Sequence, residues 1–179
     1  HNHHASVESA WVSAGLILAA LVYLRGWVRS RRLDRDSVGG WRVASFTLGL
    51  LFIWFATASP LAALDHDMLT AHMVQHLLLM TFAPLLILLG ASVKTFVYGL
   101  PHRFAQVMGQ WFQSTGLHQV WSALTHPAIC WLGAAGTLIA WHIPAMFALG
   151  MRSQMWHGIE QASFLATGLL FWWPVVQPL

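Results

Sequence analysis

The sequence predicts an all-α fold, a polytopic transmembrane helical bundle with about five spans. Three observations predict it. Apolar residues fill 57% of the 179 positions and charged residues only 8%, with a mean hydropathy of +0.59. Soluble domains carry roughly a quarter charged residues. Apolar runs recur along the chain at lengths of roughly 18–23 residues, enough for ~30 Å of hydrocarbon each. Arginine gathers in one short stretch between Trp27 and Trp41, and such indoles suit the headgroup layer. The net charge of +3 comes mostly from that stretch, so it reports membrane orientation and no nucleic-acid partner. Cys130 is the one cysteine, which excludes an internal disulfide or a thiolate pair.

The first span is expected over 8–28, where no charge lies between Glu8 and Arg25. The basic loop follows, with Arg25, Arg29, Arg31, Arg32, Arg35 and Arg42 around Asp34, Asp36 and Gly39-Gly40. A second span over 41–58 stops at Ser59-Pro60, and the acidic connection Asp65-His66-Asp67 leads into a third over 68–90. Pro84 lies inside the third span and should kink it. Residues 99–125 are less apolar and are expected as short helices lying at the interface. The fourth span, 127–149, is rich in small residues (Gly133, Ala134, Ala135, Gly136) that would let helices approach closely. Pro144 interrupts it, which should free the carbonyl of Ala140. Gly150–Ser153 then turns the chain into a fifth span over 154–176. All of this is expected to form a single membrane domain. The chain starts at His1 without an initiator Met and stops at Leu179 after an apolar segment, so it is expected to be a fragment of a longer protein.

The arginine loop sets the orientation. Placed in the cytoplasm, with Lys94 and Arg103 on the same side, it puts the N-terminus outside. His72 and His76 then lie one and two turns below the outer surface, His142 two turns below it and His157 one. The helical rise of 1.5 Å per residue puts all four at a common depth of ~6–12 Å on three helices. Glu160 and Gln161 sit one turn below His157, and Glu160 is the one carboxylate deep within an expected span. Imidazoles at that depth should face the bundle interior and need partners. Methionines collect at the same level, Met73 and Met146 among them, and imidazole with thioether suits copper, the sulfur favouring the cuprous ion. Imidazole with Glu160 suits zinc or iron instead. The candidate metal set is therefore His72, His76, His142 and His157, with Glu160, Met73 and Met146 as lesser members.

Plainer roles compete with this. A lone intramembrane histidine commonly bonds a neighbour's carbonyl, and methionines near span ends are commonly core fillers. Glu160 suits a structural partner for His157 or Arg152. His126 precedes a helix-starting proline and reads as a cap. His66 reads as a solvated loop residue before it reads as an external metal-capture point. Cys130 reads as a packed small hydrophobe.

Ser59-Pro60-Leu61, the run Ala71-His72-Met73-Val74-Gln75-His76-Leu77-Leu78-Leu79, Trp141-His142-Ile143-Pro144, and His157 followed by Phe171-Trp172-Trp173-Pro174 together resemble the CtaG family of caa3-type cytochrome c oxidase assembly factors. The resemblance runs from the first span to the fifth. It implies a bacterial inner-membrane protein of about seven spans, with C-terminal spans beyond this chain, that assists copper insertion into a haem–copper oxidase. Oxidase subunits and a periplasmic copper donor are the implied partners. His72, His76, His142 and His157 match the family's histidines. Where the family often has a second histidine, four after the first, this chain has Gln161.

Three functions follow as alternatives: a non-enzymatic assembly factor holding copper transiently, a haem-binding electron-transfer protein clamping haem between histidines of facing helices, and a cofactor-free scaffold. An intramembrane metalloprotease is disfavoured, since the helical HExxH pattern fails at Met73.

Overall fold

The structure, a computed structural model, describes residues 2–33, 39–59, 68–90, 93–101, 103–104, 106 and 115–176, with the backbone alone at 2–8, 33, 93–94, 97, 115 and 117–118. The acidic connection with His66, the tip of the arginine loop with Asp34 and Asp36, and most of the expected interfacial segment, including His102, lie outside the described residues. Everything regular among the described residues is helical. The elements are α1 (Asn2–Leu33), α2 (Gly40–Ala58), α3 (Leu69–Leu77), a π-helical turn (Leu78–Phe82), α4 (Ala83–Gly90), α5 (Val93–Gly99), α6 (Thr115–Leu124), α7 (Pro127–His142), α8 (Pro144–Arg152) and α9 (Gln154–Val176).

Among the described residues three helices are long and apolar enough to cross a membrane: Ser9–Arg32, Gly40–Ala58 and the continuous Leu69–Gly90. A fourth is reached if α7 and α8 count as one bent span. The fifth expected span exists as α9, 23 residues long, but it falls outside that group. Its first two turns carry His157, Glu160 and Gln161, which lower its apolarity. These helices fit a membrane protein, and so does the inversion of inside and outside. Ile17, Leu132 and Ile139 face outward, while His72, Gln75, His76, Thr95, His157 and Glu160 are buried.

Glycines set the helix crossings. α5 lies against α1 with Gly26 at the Thr95 carbonyl and Gly99 at the Val22 carbonyl, so a side chain at either would collide with backbone. There Tyr23 stacks on Phe46 at 4.1 Å, Phe96 closes edgewise on both, and the Tyr23 hydroxyl donates to the Gly90 carbonyl at 2.7 Å. The expected close approach at Gly133 and Gly136 is absent: a Cβ at either meets nothing within 4 Å, and of that run only Ala134 is buried.

Pro84 acts one turn before itself. It offers no N–H to the Met80 carbonyl, and the helix widens to π geometry over Leu78–Phe82, where the Ala83 N–H reaches the Leu78 carbonyl. α9 comes in against this irregularity through Gly168, where a Cβ would stand 2.6 Å from the Met80 oxygen and 2.8 Å from Pro84 Cγ. That seat places the first turns of α9 beside α3.

The fourth span is broken more sharply than Pro144 alone suggests. α7 and α8 meet at 74°. The residue before a proline is driven to extended backbone, and Ile143 adopts φ −67° and ψ 132°. The Ala140 carbonyl is not left free, because the Ile143 N–H donates to it at 3.2 Å. At the other end of α7, His126 occupies the N-cap position without a side-chain capping bond. Cys130 is buried and its thiol donates to the Leu124 carbonyl.

Candidate metal centre

α3 is a nine-residue helix in which His72, Gln75 and His76 fall on one face, and all three are buried. The four-residue spacing stacks the two imidazoles, with ring centroids 4.2 Å apart and planes at 79°. Their Nε2 atoms are 2.8 Å apart. From α9, Glu160 enters beneath them with 2% of its surface exposed, its Oε1 lying 3.4 Å from His76 Nε2 and 3.7 Å from His72 Nε2. Three donor atoms on two helices thus form a triangle with edges of 2.8, 3.4 and 3.7 Å. Ligands bonded at ~2.0–2.1 Å to one ion are separated by about 2.9 Å at right angles and about 3.3 Å at tetrahedral angles. The two carboxylate edges are somewhat longer than the tetrahedral spacing and the 2.8 Å edge is a hydrogen-bond distance between the imidazoles, so the three atoms lie close to the spacing of one coordination shell. Among the described residues no other group of three histidine, cysteine or carboxylate side chains has that compactness.

The carboxylate is held from its other side. His157 Nδ1 stands 3.3 Å from Glu160 Oε2, and its Nε2 is 2.9 Å from the Gln161 side-chain nitrogen. The Gln161 amide thus holds the imidazole by Nε2 and keeps its Nδ1 facing the carboxylate. Gly150 on α8 backs the same oxygen: a Cβ there would lie 2.8 Å from Oε2. One turn further along α9, Trp141 Nε1 donates to Ser163 Oγ at 2.8 Å, and Ser163 Oγ donates to the Glu160 backbone carbonyl at 2.7 Å. This ties α7 to the turn that carries the carboxylate. Phe164 lies 4.3 Å from the His76 ring and Phe147 lies 5.7 Å from the His72 ring, which walls the cluster with aromatic carbon.

The expected set is only partly brought together. His72, His76, His157 and Glu160 converge, with His157 turned to the carboxylate and not to the triangle. His142 stays outside: it is exposed, its Nδ1 is 2.7 Å from the Leu138 carbonyl, and its ring centroid is 6.2 Å from that of His76. The cause is its neighbour. Trp141 is buried and bonded to Ser163, and the next residue on a helix turns ~100° away. Met73 turns outward from α3 at 41% exposure, and Met146 packs beside the apolar core cluster. Arg152 is exposed, and among the described residues the partners of Glu160 are histidines. Sequence reasoning passed over Gln75, fully buried with neither amide atom hydrogen-bonded among the described residues. Its position three after His72 was the available signal. Gly150 carried no such signal.

The family model of the cytochrome c oxidase caa3 assembly factors (CtaG) matches residues 21–179. The chain belongs to this family. Among curated proteins, it is similar to an uncharacterised protein of Mycobacterium leprae, 24% identical over 168 residues, which covers 92% of this chain and 25% of that protein. Uncharacterised proteins of Mycobacterium bovis and Mycobacterium tuberculosis are each 27% identical over 173 residues, with the same coverage. The chain spans about a quarter of the length of the curated relatives it matches. No solved structure matches it. The CtaG match includes every residue of the triangle and its support.

Proposed function

We propose that this CtaG chain is a non-catalytic, multi-pass bacterial membrane factor that helps mature a cytochrome c oxidase. In this reading it holds a copper ion transiently between His72, His76 and Glu160. The observation that carries the proposal is the triangle itself, three donor atoms at ligand spacing in a site walled from lipid. Two imidazoles and a carboxylate suit the divalent ion better than the cuprous one, and copper(II) is bound most strongly by such donors. His157 and Gln161 orient the carboxylate from outside the coordination shell. His142 sits at the rim with Nδ1 committed to a carbonyl, which leaves Nε2 as the lone-pair nitrogen for a passing ion. In this scheme the copper is cargo, received from a periplasmic donor and passed to an oxidase subunit. The arginine loop lies in the cytoplasm and the site near the outer leaflet.

A haem-clamping role is less well supported. It would pair His72 with His142 and His76 with His157, whereas His72 and His76 Nε2 stand at hydrogen-bond distance from each other and His157 faces Glu160. A cofactor-free scaffold would use the same contacts only as helix fasteners. The test is oxidase maturation in cells that carry the full-length protein with His72→Ala and His76→Ala. The expected result is oxidase that contains haem but less than half its copper. Fully metallated oxidase at wild-type abundance would refute the copper role.

A further inference from the structure

The outward face of α1 carries a second feature, at the arginine end of the molecule. A groove of about 530 Å³ is lined by Leu21, Leu24, Arg25, Val28, Arg29 and Arg32. At ~100° per residue these six positions fall within one face of the helix. The opposite face carries Tyr23, Gly26 and Ser30, all buried. The groove is therefore set on the side of α1 that turns away from the bundle. The arginines are sorted in space. Arg31 lies over the Trp27 ring at 5.0 Å and Arg42 over the Trp41 ring at 5.4 Å. Arg25, Arg29 and Arg32 turn to the groove, and among the described residues no carboxylate lies within ion-pair distance of them.

The groove also has a vertical order. Leu21, Leu24 and Val28 are all exposed; Leu21 and Leu24 lie toward the middle of the Ser9–Arg32 span, and Val28 lies between Arg25 and Arg29. The guanidinium groups rise from Arg25 to Arg32 toward the end of the span. From Leu21 to Arg32 the helix climbs ~16 Å at 1.5 Å per residue. The inner end of the groove, Leu21 and Leu24, is apolar and the outer end carries the arginines, which suits an acyl chain below and a headgroup above. A planar guanidinium binds phosphate through two parallel N–H groups, which an ammonium cannot do.

We propose that this groove is a binding site for an anionic phospholipid, with phosphate held by Arg25, Arg29 and Arg32 and acyl chain lying along Leu21, Leu24 and Val28. Three charges without a carboxylate partner among the described residues, beside an apolar strip, select an amphiphile over a free anion. The site is separate from the histidine cluster and does not depend on the copper reading.

The test uses full-length protein in mild detergent and native mass spectrometry, with phosphatidylglycerol and phosphatidylcholine of identical chains as probes. Wild-type protein is expected to retain phosphatidylglycerol at least tenfold better. Arg25→Gln with Arg29→Gln should remove on the order of tenfold or more of that preference, at roughly one unit of lipid attraction per arginine. Arg31→Gln with Arg42→Gln changes the net charge equally and should keep the preference. Millimolar inorganic phosphate should not displace the lipid. Equal retention of the two lipids by wild-type protein would overturn the proposal without recourse to any variant. Equal loss in the two double variants would reduce the effect to net charge, and displacement by phosphate or by an acidic peptide would make the groove a site for those instead. Each of these outcomes also overturns the proposal.

Discussion

Gly150→Ala is the most economical challenge to the geometry around Glu160. The new methyl would lie 2.8 Å from Oε2, against an ordinary contact of about 3.4 Å or more, so either α8 or the carboxylate must yield by roughly 0.6 Å. The carboxylate has little room, because imidazoles stand 3.3, 3.4 and 3.7 Å from its two oxygens. Overpacking of this kind costs about 1–3 kcal/mol, and site geometry tolerates about 0.5 Å. The expected outcome is a lower melting temperature in detergent and a metal affinity reduced about 5- to 150-fold, the same energy expressed as a binding ratio. Gly158→Ala is the control. It sits in the same first turns of α9, where a Cβ meets nothing within 4 Å, and alanine should stabilise the helix by about 0.5–1 kcal/mol. Differential scanning fluorimetry and isothermal titration with copper(II) read both effects. Identical behaviour of the two variants would show that Gly150 does not press on the carboxylate, and the described arrangement of α8 and α9 would be wrong.

Other substitutions probe separate contacts. Gln161→Leu removes the amide that holds the His157 ring, and copper(II) affinity by titration should fall about 10- to 100-fold while the fold persists by circular dichroism. Tyr23→Phe deletes a buried bond to the Gly90 carbonyl and should cost about 0.5–1.5 kcal/mol of stability, read as a fall in melting temperature with copper affinity unchanged. Gly168→Leu forces a side chain onto the Met80 carbonyl and Pro84. It should destabilise the protein by more than about 1–3 kcal/mol, whereas Gly136→Ala, like Gly158→Ala, should stabilise its helix by about 0.5–1 kcal/mol, and parallel thermal melts compare the two.

Much of the site was legible before any coordinates, and the limits are physical. Spacing within one helix fixes which residues share a face, so His72 with His76 and Glu160 with His157 were readable from the chain. Spacing does not fix how a helix is rotated against its neighbours. His142 and Met73 were assigned by depth alone. The structure turns them out because Trp141 and Gln75 occupy the inward positions beside them. Pro144 announced a break but not its 74° angle, which depends on the extended conformation of Ile143. The small-residue run of α7 suggested tight packing, yet the close crossings fall at Gly26, Gly99 and Gly168, where backbone meets backbone or proline. Gln161 looked like a missing ligand from the sequence, and the geometry gives it a different task, holding the ring next to the carboxylate.

The most direct measurement of the central claim is copper stoichiometry and X-ray absorption on full-length protein purified in detergent, beside its His72→Ala/His76→Ala variant. One copper per chain with a nitrogen and oxygen shell, lost in the variant, is the predicted result. Equal copper in both proteins, or a sulfur shell around the wild-type ion, would contradict it.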